Sequence, residues 1–507
     1  ELEETINFKK LVQLNLSAKQ LNKEKDKLKS VWKKRILGCQ RDVDTWQQLL
    51  DIHSLTTLPT EETKMYLEFA SICRTKGQNS KSFNIINKLL RKNSFDDNDI
   101  EAIFSTKGNS SIKYAFIKHL RVNGYPHYSR LYAELASILS SGEKVLKSKC
   151  LFHRATENGK SVLEKMESVV REKKSNFRET EFEGNGELTE KESQKLEEIL
   201  VLFEQATQLN PENQKAFHSL ALMHYKTASF FDALKQSKKA EKHCVLAARN
   251  FFKSFSLGEK GGRNFGTFQD ALRVINLLFG SSQQKEVQEE LEKGFKEVSV
   301  DIWLNVIPQI IARIMDGNCG EQKLVRDLLI HISETHPQSL MYPVTVATKS
   351  EKMSRKSSAL FVFSRMKARD PELAEQAMLV SDELIRVAIP WPEICAEKLL
   401  EASHDLSEKK FDLFDKKVAK FYKLVIEASP KTSYELKFKQ AFAADFEMAF
   451  DFIKKAQLGR RADAVERSLA INLKLVQRIQ KKLSSTEFQD LADVSPALMK
   501  CKNLKLI

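Results

Sequence analysis

The side chains best suited to catalysis or metal binding are spread thinly along the 507 residues. The ten histidines and seven cysteines form neither a CxxC pair nor an HExxH pair that would hold zinc. The chain also lacks a GxxxxGK[ST] phosphate loop, a GxSxG nucleophile elbow, and the HRD and DFG tripeptides. We therefore predict no catalytic residue and no metal site within this sequence.

The composition favours packed amphipathic helices that would position partners instead of reacting with them. Glycine (17) and proline (11) are sparse, and 30% of the residues are charged. This balance suits helices better than strands and tight turns. We expect an all-α fold in which helical repeats stack into an α–α superhelix.

The net charge of +14 would suit a polyanionic partner. However, 82 basic residues are interspersed with 68 acidic residues, which is typical of solvated helix surfaces. One basic set could line a polyphosphate-binding groove: Arg74, Lys76, Lys81 and Lys88. RNA binding is a weaker alternative because no repeated base-reading pattern is visible, and no nucleic-acid partner is predicted.

The cysteines and the hydropathy indicate the compartment. The cysteines lie far apart, as expected for small buried side chains in a reducing environment. No apolar run approaches the ~18 residues of a membrane span, and the N-terminus does not look like a signal peptide. We expect a cytoplasmic protein without a transmembrane segment.

The clearest repeat unit covers residues 199–241. Small residues at Ala206, Ala221 and Ala233 alternate with aromatic residues, and the turn LNPEN separates a first helix from a second that begins near Gln214. A third helix is predicted to carry Phe231, Ala233 and Leu234. This pattern is typical of tetratricopeptide repeats, so a stand-alone adaptor that binds peptides is one possible function.

A charged, GNG-containing stretch interrupts the helical pattern at residues 169–195. We interpret it as a flexible linker. It would separate helical repeats at 1–168 from a second set at 196–380.

Several stretches, in order, resemble the target-of-rapamycin (TOR) protein kinases of the PI3K-related kinase family. They include ELEETINFKKLV (1–12), VWKKRILGCQRDVDTWQQLLDIHSL (31–55), FQDALRVINLLF (268–279), DIWLNVIPQIIARI (301–314) and EQAMLVSDELIRVAI (375–389). They match the later part of the FAT domain of that family. Residues 381–485 resemble its FRB module, a four-helix bundle, and residues 486–507 resemble the lead-in to a kinase N-lobe that is missing here.

The resemblance implies a non-catalytic scaffold that clamps a kinase domain in cis and gates or recruits protein substrates in nutrient and growth signalling. The parent protein would be a serine/threonine kinase using ATP and Mg²⁺, whereas these residues alone should transfer no phosphate. TOR-complex regulatory subunits are the implied partners, with peripheral association at endomembranes through them. The family also carries a site for inositol hexakisphosphate, and the basic set named above is the candidate for it in this sequence.

The FRB resemblance locates the drug-binding groove between the first and last helices of the bundle. Its positions here are Leu399, Ser403, Ser407, Leu469, Leu473 and Val476. The leucine and serine of the first helix match the family, but Ser407 replaces a large aromatic residue, and the last three positions replace Trp, Tyr and Phe. Because central aromatic anchors commonly contribute ~2 kcal/mol or more, we predict weak or absent binding of rapamycin with its immunophilin.

Two prolines flank Trp391 where the FAT and FRB regions would meet. Proline in a helix interior costs roughly 3 kcal/mol, but its missing N–H is harmless in the first turn. We therefore predict that Pro390 and Pro392 mark the start of the first bundle helix.

Overall fold

A computed structural model describes most of the chain. The described residues are 1–13, 18–90, 100, 103–104, 108–125, 127–175, 188–261, 266–280, 284–314, 319–422, 429–459, 462–484 and 490–501. All regular secondary structure in these ranges is helical, which confirms the predicted all-α class. The chain divides into two compact units, Glu1–Ser299 and Val300–Ile507.

The N-terminal unit consists of consecutive helices within its described residues. They are α1 (Leu2–Gln13), α2 (Ala18–Gly38), α3 (Val43–Ser54), α4 (Thr63–Thr75), α5 (Asn79–Leu90), α6 (Ser110–Val122), α7 (Tyr128–Ile138), α8 (Lys144–Ser175), α9 (Glu190–Leu209), α10 (Gln214–Ala233), α11 (Ser237–Gly261), α12 (Thr267–Gly280) and α13 (Lys285–Glu297). Large buried side chains, among them Trp46, Phe69, Phe116 and Tyr132, form a core shared by successive helices.

Local signals in the sequence explain where these helices begin and end. Asp42 caps α3 by accepting hydrogen bonds from the backbone N–H groups of Asp44 and Thr45. Gly77 adopts φ +76° after α4, a left-handed conformation that glycine favours. The N–H of Gln78 then donates to the carbonyl of Cys73, which closes a Schellman motif.

The repeat at residues 199–241 is helical as predicted, with one correction. Helix α9 ends at Leu209, and α10 begins at Gln214. The side chains of Ala206 and Ala221 are fully buried where the helices pack. The predicted third helix was placed too early, because α10 continues through Phe231 to Ala233 and the next helix begins only at Ser237.

Helix occupies both ends of the predicted linker at 169–195. Helix α8 continues to Ser175, and α9 begins at Glu190. The carboxylate of Glu192 accepts a 2.9 Å hydrogen bond from the N–H of Thr189, a capping contact that fixes the start of α9. The linker prediction was therefore wrong at these ends, and residues 176–187 lie outside the described part of the chain.

The C-terminal unit is also helical throughout its described residues. Its helices are α14 (Asp301–Leu304), α15 (Ile307–Ala312), α16 (Cys319–Thr335), α17 (Pro337–Thr348), α18 (Met353–Arg369), α19 (Pro371–Ala388), α20 (Trp391–Ser407), α21 (Phe411–Tyr422), α22 (Ser433–Gly459), α23 (Ala462–Ser484), α24 (Leu491–Val494) and α25 (Pro496–Lys500). The predicted boundary at 380 and 381 falls inside α19, and the helix ends only before Ile389.

Helices α20 to α23 form the predicted four-helix bundle. Pro390 occupies the N-cap of α20 and Pro392 its first turn, as predicted from the sequence. Phenylalanines from two of the helices, α21 and α22, fill the core with leucine, isoleucine and valine side chains: Phe414, Phe421, Phe438, Phe442, Phe446 and Phe450. Of the predicted lead-in at 486–507, the structure describes residues 490–501.

Candidate functional site

The first and last helices of the bundle pack against each other in opposite directions. Pro392, at the start of α20, lines the same small cavity as Ile479 and Leu483, near the end of α23. Along an antiparallel pair, Leu399 then lies near the level of Val476, and Ser403 one turn further on lies near the level of Asn472. These two helices therefore form the seam on which the predicted groove would lie.

The six predicted groove positions differ widely in exposure. Leu399 (0% exposed) and Val476 (3%) belong to the bundle core. Leu469 is half-buried and packs against that core, whereas Leu473 is 46% exposed. The last-helix positions thus range from the core to the surface, and among them only Leu469 and Leu473 offer apolar surface to a ligand.

The two serines of the first helix also differ. Ser403 is buried, whereas Ser407 is exposed and its hydroxyl donates to the carbonyl of His404 in its own helix. The serine thus satisfies its hydroxyl within its own helix and offers no apolar surface to a ligand. The structure thus places Ser407, Leu469 and Leu473 at the accessible surface without an aromatic anchor among them.

Polar side chains are also buried on helices α20 and α23. Ser403, Ser468 and Asn472 are each at least 95% buried. Within the described residues, the hydroxyl oxygens of the serines and both amide atoms of Asn472 have no hydrogen-bond partner. Leaving a buried polar group unsatisfied costs ~1–3 kcal/mol, so this seam is less tightly stabilised than an apolar one. The spacing of Ser468 and Asn472, one turn apart, is the sequence signal for it.

A buried polar contact fastens the bundle to helix α19. The hydroxyl of Ser495 donates a 2.6 Å hydrogen bond to Oε2 of Glu383. Nη1 of Arg386 lies 2.6 Å from Oε1 of the same carboxylate, and its Nε lies 3.5 Å from Glu435 at the start of α22. Helix α19, the bundle and the segment after the bundle therefore share one charged network.

The N-terminal unit contains a second candidate site, a cluster of basic side chains around Lys118. Four other cations act on this ammonium group: Arg74, Lys149, Arg121 and Lys215. Arg121 lies on the same helix as Lys118, and the other three lie on three different helices. The Lys118 Nζ also lies 4.7 Å from the centroid of the Tyr114 ring. The fold thus gathers charges that are separated by up to 141 positions in the chain.

The electrostatics of this basic cluster favour an anion. Burial, followed by the neighbouring cations, lowers the pKa of Lys118 to about 8. Burial also lowers the pKa of Arg74, and burial with nearby cations lowers the pKa of His153 to about 3. Among the described residues, no carboxylate pairs with Arg74 or Lys118, whereas Glu157 lies 3.7 Å from Arg121 and also pairs with Lys160 outside the cluster.

Only one residue of the predicted basic set lies in this cluster. Arg74 is half-buried and bonds to the hydroxyl of Ser82 at 3.1 Å. The side chains of Lys76, Lys81 and Lys88 are exposed, and none of them is among the charges acting on Lys118. Sequence reasoning missed Lys118, Arg121, Lys149 and Lys215, since no local spacing connects them to Arg74.

In the part of the chain that the structure describes, no helix is long and apolar enough to cross a membrane.

Three family sequence models match the chain in order. The FAT domain matches residues 1–276, "Serine/threonine-protein kinase ATR-like, HEAT repeats" matches 286–383, and the FKBP12-rapamycin binding domain matches 383–481. The last match coincides closely with helices α20 to α23.

Curated relatives match along the whole chain. It is 30% identical to the serine/threonine-protein kinase TOR of Arabidopsis thaliana over 526 residues, and 28% identical to the serine/threonine-protein kinase mTor of Drosophila melanogaster over 546 residues. Each match covers 100% of this chain and 20% of the relative. Among solved structures, the complete CtTel1 dimer with C2 symmetry aligns with a TM-score of 0.44 at 15% identity, over 74% of this chain and 15% of that one. The chain thus spans about a fifth of the length of the curated relatives.

Proposed function

The chain belongs to the target-of-rapamycin family of PI3K-related protein kinases, of which it contains FAT and FRB regions, and we propose that it clamps a kinase domain and controls substrate access to it. The observation that carries the proposal is the order of the matches, in which the FAT domain is followed by HEAT repeats and then by the FRB bundle. The Ser495–Glu383 contact supports it, because it holds the bundle at a fixed position on helix α19.

In this proposal the region itself transfers no phosphate and acts in nutrient and growth signalling. The kinase domain in cis, TOR-complex regulatory subunits and protein substrates are its partners. It works in the cytoplasm and reaches endomembranes through those partners. The FRB bundle has a first and a last helix that pack together, as the family's groove requires. Of the three groove positions on the last helix, only Leu469 and Leu473 are accessible apolar side chains.

The endogenous protein provides a direct test. An antibody against the bundle, residues 391–484, should precipitate a serine/threonine kinase activity that an ATP-competitive inhibitor blocks. The recombinant 507-residue chain assayed in parallel should transfer no phosphate. A precipitate that contains the protein but phosphorylates no substrate would contradict the proposal.

We also propose that the basic cluster around Lys118 binds an inositol polyphosphate such as inositol hexakisphosphate. The residues present fit such a group, since Arg74 and Lys118 carry positive charge in a partly buried site without a carboxylate partner among the described residues. A bound polyphosphate would supply negative charge that offsets the repulsion between the basic side chains that four helices contribute to the cluster. Its role would be structural, holding α4, α6, α8 and α10 together.

A further inference from the structure

A groove in the N-terminal unit is distinct from both sites described above. It is a cavity of about 670 Å³ bordered by helices α9, α10 and α11, within the tetratricopeptide-like repeat. Its floor is apolar and contains Leu196, Leu200, Phe230, Phe231 and Leu234.

The floor of the groove combines a rigid base with accessible apolar side chains. Phe230 (1% exposed) and Leu196 (5%) belong to a buried core cluster. Phe231 and Leu234 are half-buried, and Val201 at the edge is 48% exposed. Accessible apolar surface that is bordered by charged residues is typical of a protein interaction site.

The two rims of the groove carry opposite charges. Lys239 and Lys242 project from α11, and Glu197 and Glu204 from α9. All four side chains are exposed, and within the described residues none of them forms an ion pair. Lys239 lies instead with its Nζ 5.3 Å from the centroid of the Phe231 ring. The rims therefore keep their charges available for a partner.

We propose that this groove binds an amphipathic helix of a partner protein, with an apolar stripe flanked by acidic residues on one side and basic residues on the other. The acidic flank faces Lys239 and Lys242, and the basic flank faces Glu197 and Glu204. Glu197 and Glu204 are two helical turns apart, about 10.5 Å. A partner helix presents charges at the same interval when they are spaced i, i+3 or i+4, and i+7.

Fluorescence anisotropy with a labelled peptide of about 14 residues tests this proposal on the whole chain. The peptide carries a leucine stripe, glutamates on one flank and lysines on the other, and we expect saturable binding that weakens with salt. The variant Lys239→Glu/Lys242→Glu should bind it about tenfold or more weakly, since like charges then face each other. The matched variant Lys195→Glu/Lys238→Glu changes two exposed lysines on α9 and α11 that do not line the groove, and should bind normally.

Exchanging charges gives a gain of binding that misfolding cannot mimic. A peptide with lysines on both flanks should bind the Lys239→Glu/Lys242→Glu variant more tightly than the wild type. The proposal is overturned if the bipolar peptide does not bind, if both double variants weaken it equally, or if a central proline that breaks the peptide helix leaves affinity unchanged. It is also overturned if light scattering shows a dimer of this chain that Lys239→Glu/Lys242→Glu dissociates, because a second copy then occupies the groove.

Discussion

The hydroxyl of Ser495 donates a hydrogen bond to the carboxylate of Glu383 across 112 residues of sequence, and the two atoms are 2.6 Å apart in a buried site. Glu383 lies on α19, before the bundle, whereas Ser495 caps the short helix α25, after it. The contact therefore joins the two chain segments that flank the FRB bundle.

Replacing Ser495 by alanine should destabilise the C-terminal unit. The carboxylate of Glu383 would keep Arg386 but lose one of its buried partners. Hydrogen bonds to charged groups contribute about 1.5–3 kcal/mol. Because Arg386 remains, we expect the free energy of unfolding to fall by an amount near the lower end of that range. Urea denaturation followed by circular dichroism measures it. Ser407→Ala, at an exposed serine, should change it by less than ~0.5 kcal/mol, and an equal loss in both variants would contradict the contact's importance.

Restoring aromatic residues at accessible groove positions should restore drug binding. The wild-type bundle should not retain immunophilin with rapamycin at nanomolar concentration, whereas the variant Ser407→Phe/Leu469→Trp/Leu473→Tyr should do so. Aromatic side chains bury 150–250 Å² each and supply the missing anchors. A drug-dependent pull-down compares the two proteins.

Val476→Phe is the matched control for this graft. Because Val476 is 3% exposed within the core, adding a ring there should destabilise the bundle by ~1–3 kcal/mol without creating a groove contact. Retention of the wild-type bundle by drug and immunophilin would show that the aromatic residues are not needed.

Inositol hexakisphosphate should raise the melting temperature of the whole chain, and Lys118→Met should abolish that rise. Binding only to the folded state adds about 2.7 kcal/mol at a ligand concentration of 100 times Kd. Without ligand, Lys118→Met should itself be stabilising, because it removes a charge that burial and the surrounding cations disfavour. Differential scanning fluorimetry tests both effects, with Lys88→Met as the control. A ligand-induced rise that survives Lys118→Met would exclude this cluster as the site.

The pH dependence of this stabilisation follows from the lowered pKa of Lys118. Its folded-state pKa of about 8 lies below the ordinary value near 10.4. Its unfavourable contribution to folding is therefore fully present below pH 8 and disappears as the pH rises towards 10.4. The ligand-induced rise in melting temperature should shrink over the same interval. Scanning fluorimetry between pH 7 and 10 measures it, and a rise that stays constant would indicate that Lys118 takes no part.

Gly294→Ala should destabilise the N-terminal unit. A Cβ atom at Gly294 would lie 2.1 Å from Cδ2 of Phe252, whose ring is buried. Overpacking of this kind costs ~1–3 kcal/mol. Thermal unfolding should show the loss, whereas Gly38→Ala, where nothing lies within 4 Å of the added atom, should be neutral or slightly stabilising. A neutral Gly294→Ala would mean that α11 and α13 separate easily.

The helices and the start of the bundle were predictable because they depend on local chemistry. Gly77 after α4 and Pro390 before α20 fix helix ends through their own backbone preferences. The exposure of the groove positions was not predictable in the same way. Leu469, Leu473 and Val476 share an apolar spacing, but only the packing of α20 to α23 decides that Val476 is in the core while Leu473 faces solvent.

The basic cluster shows a different limit of sequence reasoning. Arg74 was predicted together with lysines close to it in the chain, but the charges that act on Lys118 come from four helices. Interspersed lysines look alike in sequence whether they are solvated or gathered at one point. Similarly, the charged residues at 169–175 suggested a linker, although they continue the long helix α8.

Sequencing the transcript beyond the codon for Ile507 tests most directly whether this chain is the regulatory region of a kinase. We predict that the open reading frame continues into a protein kinase domain with HRD and DFG motifs and the asparagine that binds magnesium. A stop codon directly after Ile507 would contradict this proposal and would favour the stand-alone helical-repeat adaptor that binds peptides.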